Sequence, residues 1–394
     1  MDIGAVLYRS DLRSFRRDPV GTGKHIVERL DRARRPVEQG GRILAATVEV
    51  TFLCNLRCPM CSQWGTNGVG HLMLRGEVDN SRIKQQMSLD ELKRLADQLV
   101  PHRSIVHLIG GEPFLRKDTI DYVEYLSEIK LPTKFVTNGT LFTDSVIDRM
   151  GRAKYLVDGT FSIDGAEADH DAVRGKGAYR KTMAAISKLA VARNLRKGGP
   201  RMTIRLNTTI QPGNVHHLRD LVVEAKANGV DAINLIHLRW MSKDRATRHH
   251  QMLLEDFGID DRGVYGEVGD PFPPEFPDQV FDTIRSLRRE FGSLVYTNAA
   301  YLTREQTRRY YTDLSYVIHP HCAQPWREIW VKADGNVIFC PDQWIAGYSI
   351  GNVKEEPLEG LWQGTRAARF RQALTGHGLW PGCARCCITN GDHS

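Results

Sequence analysis

No run of apolar residues in this 394-residue chain approaches the roughly 18 needed to span a bilayer, which excludes a helical membrane segment. The opening MDIGAVLYRSDLRSFRRD sets acidic and basic residues where a secretory signal needs an apolar stretch. The sequence therefore predicts a cytoplasmic protein with no membrane partner. A lopsided charge is also missing. Lys and Arg number 54 against 47 Asp and Glu, a net charge of +7, too mild for a nucleic-acid partner unless gathered on one face. Between Arg9 and Arg35 nine basic residues do meet only four acidic ones. No series of aromatic side chains interleaves them as a base-stacking platform would require, so a helix with a solvated basic face is expected. Internal repeats and low-complexity tracts are absent as well.

Cysteine is absent from the 260 residues between Cys61 and Cys322. The eight that occur are gathered at 54, 58 and 61, at 322 and 340, and at 383, 386 and 387. In a reducing compartment such grouping reads as metal ligation or thiol chemistry before it reads as disulfides.

What is present is a regular alternation. β-Branched and apolar runs predict strands at 45–53, 104–109, 133–137, 155–163, 201–210 and 231–238. Helical patterns separate them at 118–130, 143–150, 178–193 and 214–227, with an amphipathic helix at 88–100 and a last helix at 277–291. Ser88 and Glu91 form a capping-box signature. Strict alternation implies parallel strands with right-handed crossovers. Six such units are too few for a closed eight-stranded barrel, so an α/β partial (β/α)6 TIM-like barrel is expected. Functional groups in such folds lie beyond the carboxyl ends of the strands. The expected organisation is a basic extension over 1–43 and a barrel core over 44–238. An insertion with the final barrel helix and a linker follows over 239–318, then a small cysteine-rich domain over 319–394. Within the insertion, 239–275 reads as an excursion or lid.

The segment TFLCNLRCPMC places Cys54, Cys58 and Cys61 on the loop leaving the first strand. Three thiolates with no fourth nearby suit a [4Fe–4S] cluster that keeps one iron open; zinc completed by His71 is the alternative. The C-x3-C-x2-C pattern after a first strand resembles the signature of the radical S-adenosylmethionine (SAM) family. Gly110-Gly111-Glu112-Pro113 resembles its GGEP motif, followed in order by Thr137-Asn138-Gly139-Thr140, Phe161-Ser162-Ile163-Asp164-Gly165 and Arg174. The resemblance covers about 45–238. It implies that the open iron chelates the amino and carboxylate groups of SAM and that the reduced cluster cleaves SAM to a 5′-deoxyadenosyl radical. It further implies that Glu112 accepts from the SAM ammonium, with Gly110 and Gly111 permitting close backbone approach. Ser162 and Arg174 would hold the carboxylate, Asp164 would support the ribose, and Thr137, Asn138 and Asn207 would line the site. Met60 stands where the family usually has an aromatic residue near the adenine.

At the other end, C-x12-G-x4-C from Cys322 through Gly335 to Cys340 encloses a hairpin with Asp334-Gly335 at its turn. Cys383-Ala-Arg-Cys386 can close a four-thiolate site with it, for zinc or iron–sulfur. The arrangement resembles the SPASM or twitch extension of radical SAM enzymes. That resemblance implies one auxiliary [4Fe–4S] cluster on Cys322, Cys340, Cys383 and Cys386. Cys387 is left as ligand, hydrogen donor or bystander, and Asp342 is a candidate base. His216, His217, His249 and His250 read as surface residues; His319 and His321 are candidate ligands or proton relays.

Together these features predict an oxidoreductase or epimerase that abstracts hydrogen from a small polar metabolite such as a sugar, aminocyclitol or nucleoside-like compound. A flavodoxin- or ferredoxin-type electron donor is implied. The short stretch before the first strand argued for a small substrate over a peptide. The alternative is maturation of a ribosomally made peptide by crosslinking or epimerisation; a non-catalytic metal-binding protein is the remote one.

Overall fold

In a computed structural model of the chain, residues 36–66, 68–297, 301–340, 345 and 347–386 are described. The basic segment up to residue 35, Asp342 and Cys387 lie outside them. Seven parallel strands, β1 (Ala45–Thr51), β2 (Ile105–Gly110), β3 (Thr133–Thr137), β4 (Leu156–Ser162), β5 (Thr203–Ile210), β6 (Ala232–His237) and β7 (Val295–Thr297), lie side by side in chain order. β7 is a strand that periodicity did not suggest, because three residues are too few to show an alternation. Beyond β1 the sheet continues through β8 (Glu328–Val331), β9 (Asn336–Ile338) and β10 (Gly351–Asn352). The two ends, β7 and β10, do not pair with each other, so the α/β sheet is the wall of an open partial barrel.

Alternation decides what each face does. Ala46, Val48 and Val50 of β1, Val106 and Leu108 of β2 and Leu206 of β5 turn to the helix layer and are at most 1% exposed. The helix Leu89–Leu99 meets them with Leu92, Leu95, Ala96 and Leu99, and its capping box between Ser88 and Glu91 is formed. Residues of opposite parity face the inside of the barrel. They are largely polar: Glu49, His107, Lys134, Asp158, Arg205, Asn207 and Asn234. Among the described residues no helix is long and apolar enough to cross a membrane.

The C-terminal segment joins the barrel sheet: β8 pairs parallel with β1 from Ala45↔Glu328 to Val48↔Val331. The β8–β9 hairpin itself is as expected, antiparallel with Gly335 at φ +92°. The stretch read as an excursion contains a 15-residue helix, Lys243–Phe257, capped by the Ser242 hydroxyl and closed by Gly258 at φ +73°. It packs on the short turn Pro381–Arg385 that carries Cys383. Arg245 Nε donates to Pro381 O at 2.8 Å, Gly382 N donates to His249 Nδ1 at 3.1 Å, and Trp380 Nε1 donates to Asp256 at 2.6 Å. His249 is therefore a fully buried buttress and not a surface residue.

Candidate functional site

The loop after β1 is held by its own backbone. Cys61 N donates to Cys58 O, Gly65 N to Cys61 O, and the amides of Leu56 and Trp64 point at the sulfurs of Cys54 and Cys61, each at 3.4 Å. A Cβ at Gly65 would stand 2.4 Å from Pro59 O and 2.5 Å from Cys61 O, so the loop closes only around glycine. Trp64 locks it to the strand end through Nε1 to Phe52 O at 2.7 Å, with Arg57 stacked over the indole. Met60 is half-buried on this loop. Cys54, Cys58 and Cys61 feel one another's charge. Burial, together with Glu112 and the two other thiols, pushes Cys54 up to about 11; burial also raises Cys58, against the pull of Arg174.

Among the described residues no three His, Cys, Asp or Glu side chains converge on a single-ion site. His71, the fourth ligand of the zinc alternative, lies with its ring edge-on to Trp64. Three thiolates suit a [4Fe–4S] cluster that keeps one iron open.

The GGEP turn docks directly on this loop. Gly111 N donates to Thr51 O and Glu112 N to Leu53 O, each at 2.9 Å. Cβ atoms at Gly110 and Gly111 would lie 2.3 Å from Thr51 O and 2.4 Å from Leu53 O. Glu112 is 1% exposed and accepts from Phe114 N, from the Thr137 hydroxyl at 2.8 Å and from Asn138 N at 2.7 Å. Burial raises its pKa, while these donors and Arg174 oppose the rise. Thr137 and Asn138 thus have work inside the protein: Thr137 fixes Glu112, and the Asn138 amide donates to Asn55 of the cysteine loop at 2.9 Å. Gly139, at φ +73°, lets this turn close; a Cβ there would sit 2.8 Å from Thr182 Cγ2 and 2.9 Å from Phe161 Cδ1. Gly139→Ala is expected to cost about 1–3 kcal/mol, read as a lower denaturant midpoint; an unchanged midpoint would remove this account of the turn.

Ser162 ends β4 beside Asn207 of β5, whose side-chain oxygen accepts from Asn234 at 3.0 Å. Arg174 Nε donates to Asp164 Oδ2 at 2.6 Å, and its charge reaches Cys58 and Cys61. Asp164 is fully buried, with Oδ1 accepting from Thr209 N at 3.0 Å and Oδ2 from Arg174. A carboxylate so held aims Arg174. Glu112 and Arg174 converge with the cysteines at the carboxyl ends of the strands.

Several site residues were not legible beforehand. Glu49, inside the barrel, bonds Arg82, accepts from Gln63 Nε2 at 3.1 Å and from Ala333 N at 3.2 Å. Asp158 binds Arg205, which reaches the Tyr296 hydroxyl at 3.3 Å. An inward-facing polar residue on a buried strand is the only signal these leave in a sequence.

At the second group, Cys340 follows β9 and feels Cys383, Cys322 and Asp261; burial drives its pKa well up. Burial likewise pushes Cys383 up to about 12, with Cys322 adding to it and Arg245 opposing. Cys386 is buried in the same apolar surround. His319 and His321 are exposed.

Comparison with known proteins agrees with this geometry. The radical SAM superfamily model matches residues 48–234, and SPASM, an iron–sulfur cluster-binding domain, matches 322–387. The PqqA peptide cyclase of Bradyrhizobium diazoefficiens is 29% identical over 55% of this chain and 53% of that protein. The mycofactocin maturase MftC of Mycobacterium tuberculosis is 35% identical over 40% of this chain and 38% of its own. The chain thus spans about half the length, or less, of these two relatives. The AdoMet-dependent heme synthase of Methanosarcina barkeri is 25% identical over 86% of both chains. Among solved structures, SAM-bound SuiB of Streptococcus suis shares the fold, with a TM-score of 0.59 at 12% identity over 88% of this chain and 70% of that one.

Proposed function

The chain belongs to the radical SAM superfamily and carries a C-terminal SPASM iron–sulfur domain, and from that membership we propose that it is a maturase of a ribosomally made peptide. The observation that carries this reading is the similarity of the barrel half to a PqqA peptide cyclase and a mycofactocin maturase. These relatives favour a peptide over the small polar metabolite expected from the sequence.

A [4Fe–4S] cluster with SAM supplies, when bound, a 5′-deoxyadenosyl radical that abstracts hydrogen from an unactivated carbon. In this reading Cys54, Cys58 and Cys61 hold that cluster. Glu112 and Arg174, each fixed by internal partners, take the ammonium and carboxylate of SAM, with Ser162 beside them. The polar inner wall of Asn207, Asn234, Arg205 and Tyr296 orients the peptide segment. Cys322, Cys340, Cys383 and Cys386 hold the auxiliary cluster. Electrons come from a flavodoxin- or ferredoxin-type donor.

A second reading, a tetrapyrrole substrate, is favoured by one observation: the heme synthase match spans 86% of both chains. One experiment separates the two. The anaerobically reconstituted chain is incubated with SAM, dithionite and synthetic peptides encoded by short reading frames beside its gene, and in parallel with an iron porphyrin precursor of heme. A mass change in a peptide that accompanies 5′-deoxyadenosine formation is the expected result. Conversion of the porphyrin with every peptide untouched would overturn the proposal.

A further inference from the structure

Two cations meet beside the turn that carries Cys383, and one of them acts on its thiol. Arg245, on the helix Lys243–Phe257, is about half-buried, and its charge reaches Cys383. Arg385, inside the Cys383–Cys386 turn, is 2% exposed and spends its donors on backbone carbonyls: Tyr316 O at 2.8 Å, Tyr310 O at 2.6 Å, Asp313 O at 2.9 Å and Ala384 O. Arg245 likewise bonds a carbonyl, that of Pro381. The two guanidiniums repel one another. Among the described residues no carboxylate lies within ion-pair distance of either. Asp313 acts on both from further away, but its carboxylate is engaged with Arg309 at 3.1 Å and with Ser315. Asp261, within reach of Cys340, is turned to the amides of Gly263 and Gly347.

Burying like charges together without an anion is costly, and proteins tolerate it where a counter-charge arrives. Four thiolates outweigh the positive charge of a [4Fe–4S] core, so a cluster there is an anion of the required sign. Reduction adds one more negative charge, which adjacent cations favour; charge near a cluster is one of the levers on its potential.

We propose that Arg245, bonded to the turn that carries Cys383, is the charge-compensating cation of the second cysteine site, favouring an anionic cluster there and raising its reduction potential. The inference rests on the reading above that these cysteines carry a cluster. Arg245 is a positioning residue, acting on the cluster by charge.

The test is an EPR-monitored, dithionite-driven potential titration of the reconstituted full chain with Cys54, Cys58 and Cys61 replaced by alanine, so that a single cluster is read. Arg245→Gln is expected to lower the midpoint by the equivalent of at least a tenfold change in the reduction equilibrium, about 59 mV for one electron. Arg245→Lys, which keeps the charge and loses the fork, is expected to stay within twofold of the parent. An Arg245→Gln midpoint equal to the parent, with the cluster intact, overturns the inference. If Arg245→Gln takes up no iron, Asp313→Asn, which removes the distant acid and leaves both arginines, is expected to raise the midpoint; an unchanged or lower value overturns it. Absence of iron from the parent itself refutes the cluster reading, and this inference with it.

Discussion

Replacing Cys54, Cys58 and Cys61 together by alanine is expected to cut the iron of the anaerobically reconstituted chain from about eight to about four per chain and to abolish release of 5′-deoxyadenosine. The loop loses two amide-to-sulfur contacts, those of Leu56 and Trp64. Its closure still has the backbone hydrogen bonds among Cys58, Cys61 and Gly65 and Trp64 against Phe52, which need no sulfur. The loss is therefore one of ligation and not of folding, and far-ultraviolet circular dichroism should be unchanged. Glu112 and Arg174 keep their internal partners in the variant, so the site proposed for SAM keeps its shape. Iron and sulfide analysis with chromatographic detection of the nucleoside checks both halves. Retained cleavage, or zinc in place of iron, would sink the radical assignment for this loop.

Glu49→Ala is expected to cost about 3–5 kcal/mol of stability, because it strands a buried guanidinium. Arg82 is 1% exposed, lies over the Phe52 ring at 4.4 Å and is bonded to Glu49. The same carboxylate ties in Gln63 of the cysteine loop and Ala333 of the C-terminal hairpin. Removing it loosens both cysteine regions, so iron uptake should fall along with the denaturant midpoint. The double change Glu49→Leu with Arg82→Met removes both charges together and is expected to recover most of the stability but not the anchoring of Gln63. A single variant as stable as the parent would show that the pair contributes nothing.

The alternating strands and helices were legible because their signals are local. The third strand falls at 133–137 as its β-branched run predicts, and the Ser88–Glu91 cap is formed as its spacing predicts. The helix Lys243–Phe257 was hidden for a physical reason. Its buried face consists of Ala246, His249 and Leu253, with Arg245 bonding to the turn, so no apolar stripe marks it. Asp164 could be picked out from its place after the fourth strand, but its bond to a backbone amide 45 residues away could not. Glu49 and Arg82 lie 33 residues apart in the chain, and only folding makes them neighbours. The cysteines announced themselves by grouping, whereas the inner wall is built of single polar residues from six strands without a shared motif.

The parallel pairing of β8 with β1 has a mechanical consequence. The strand that launches the first cysteine loop is stitched on one side to β2, which carries the GGEP turn, and on the other to the hairpin leading to Cys340. The two thiol stations therefore hang from one shared beam, and the span between them is set by ladder geometry instead of by a hinge. Cutting the chain before β8 would not detach an accessory. It would leave the longest-range edge of the sheet bare, along the very strand that aims the first three thiols, with unpaired amides and carbonyls open to pairing with another chain.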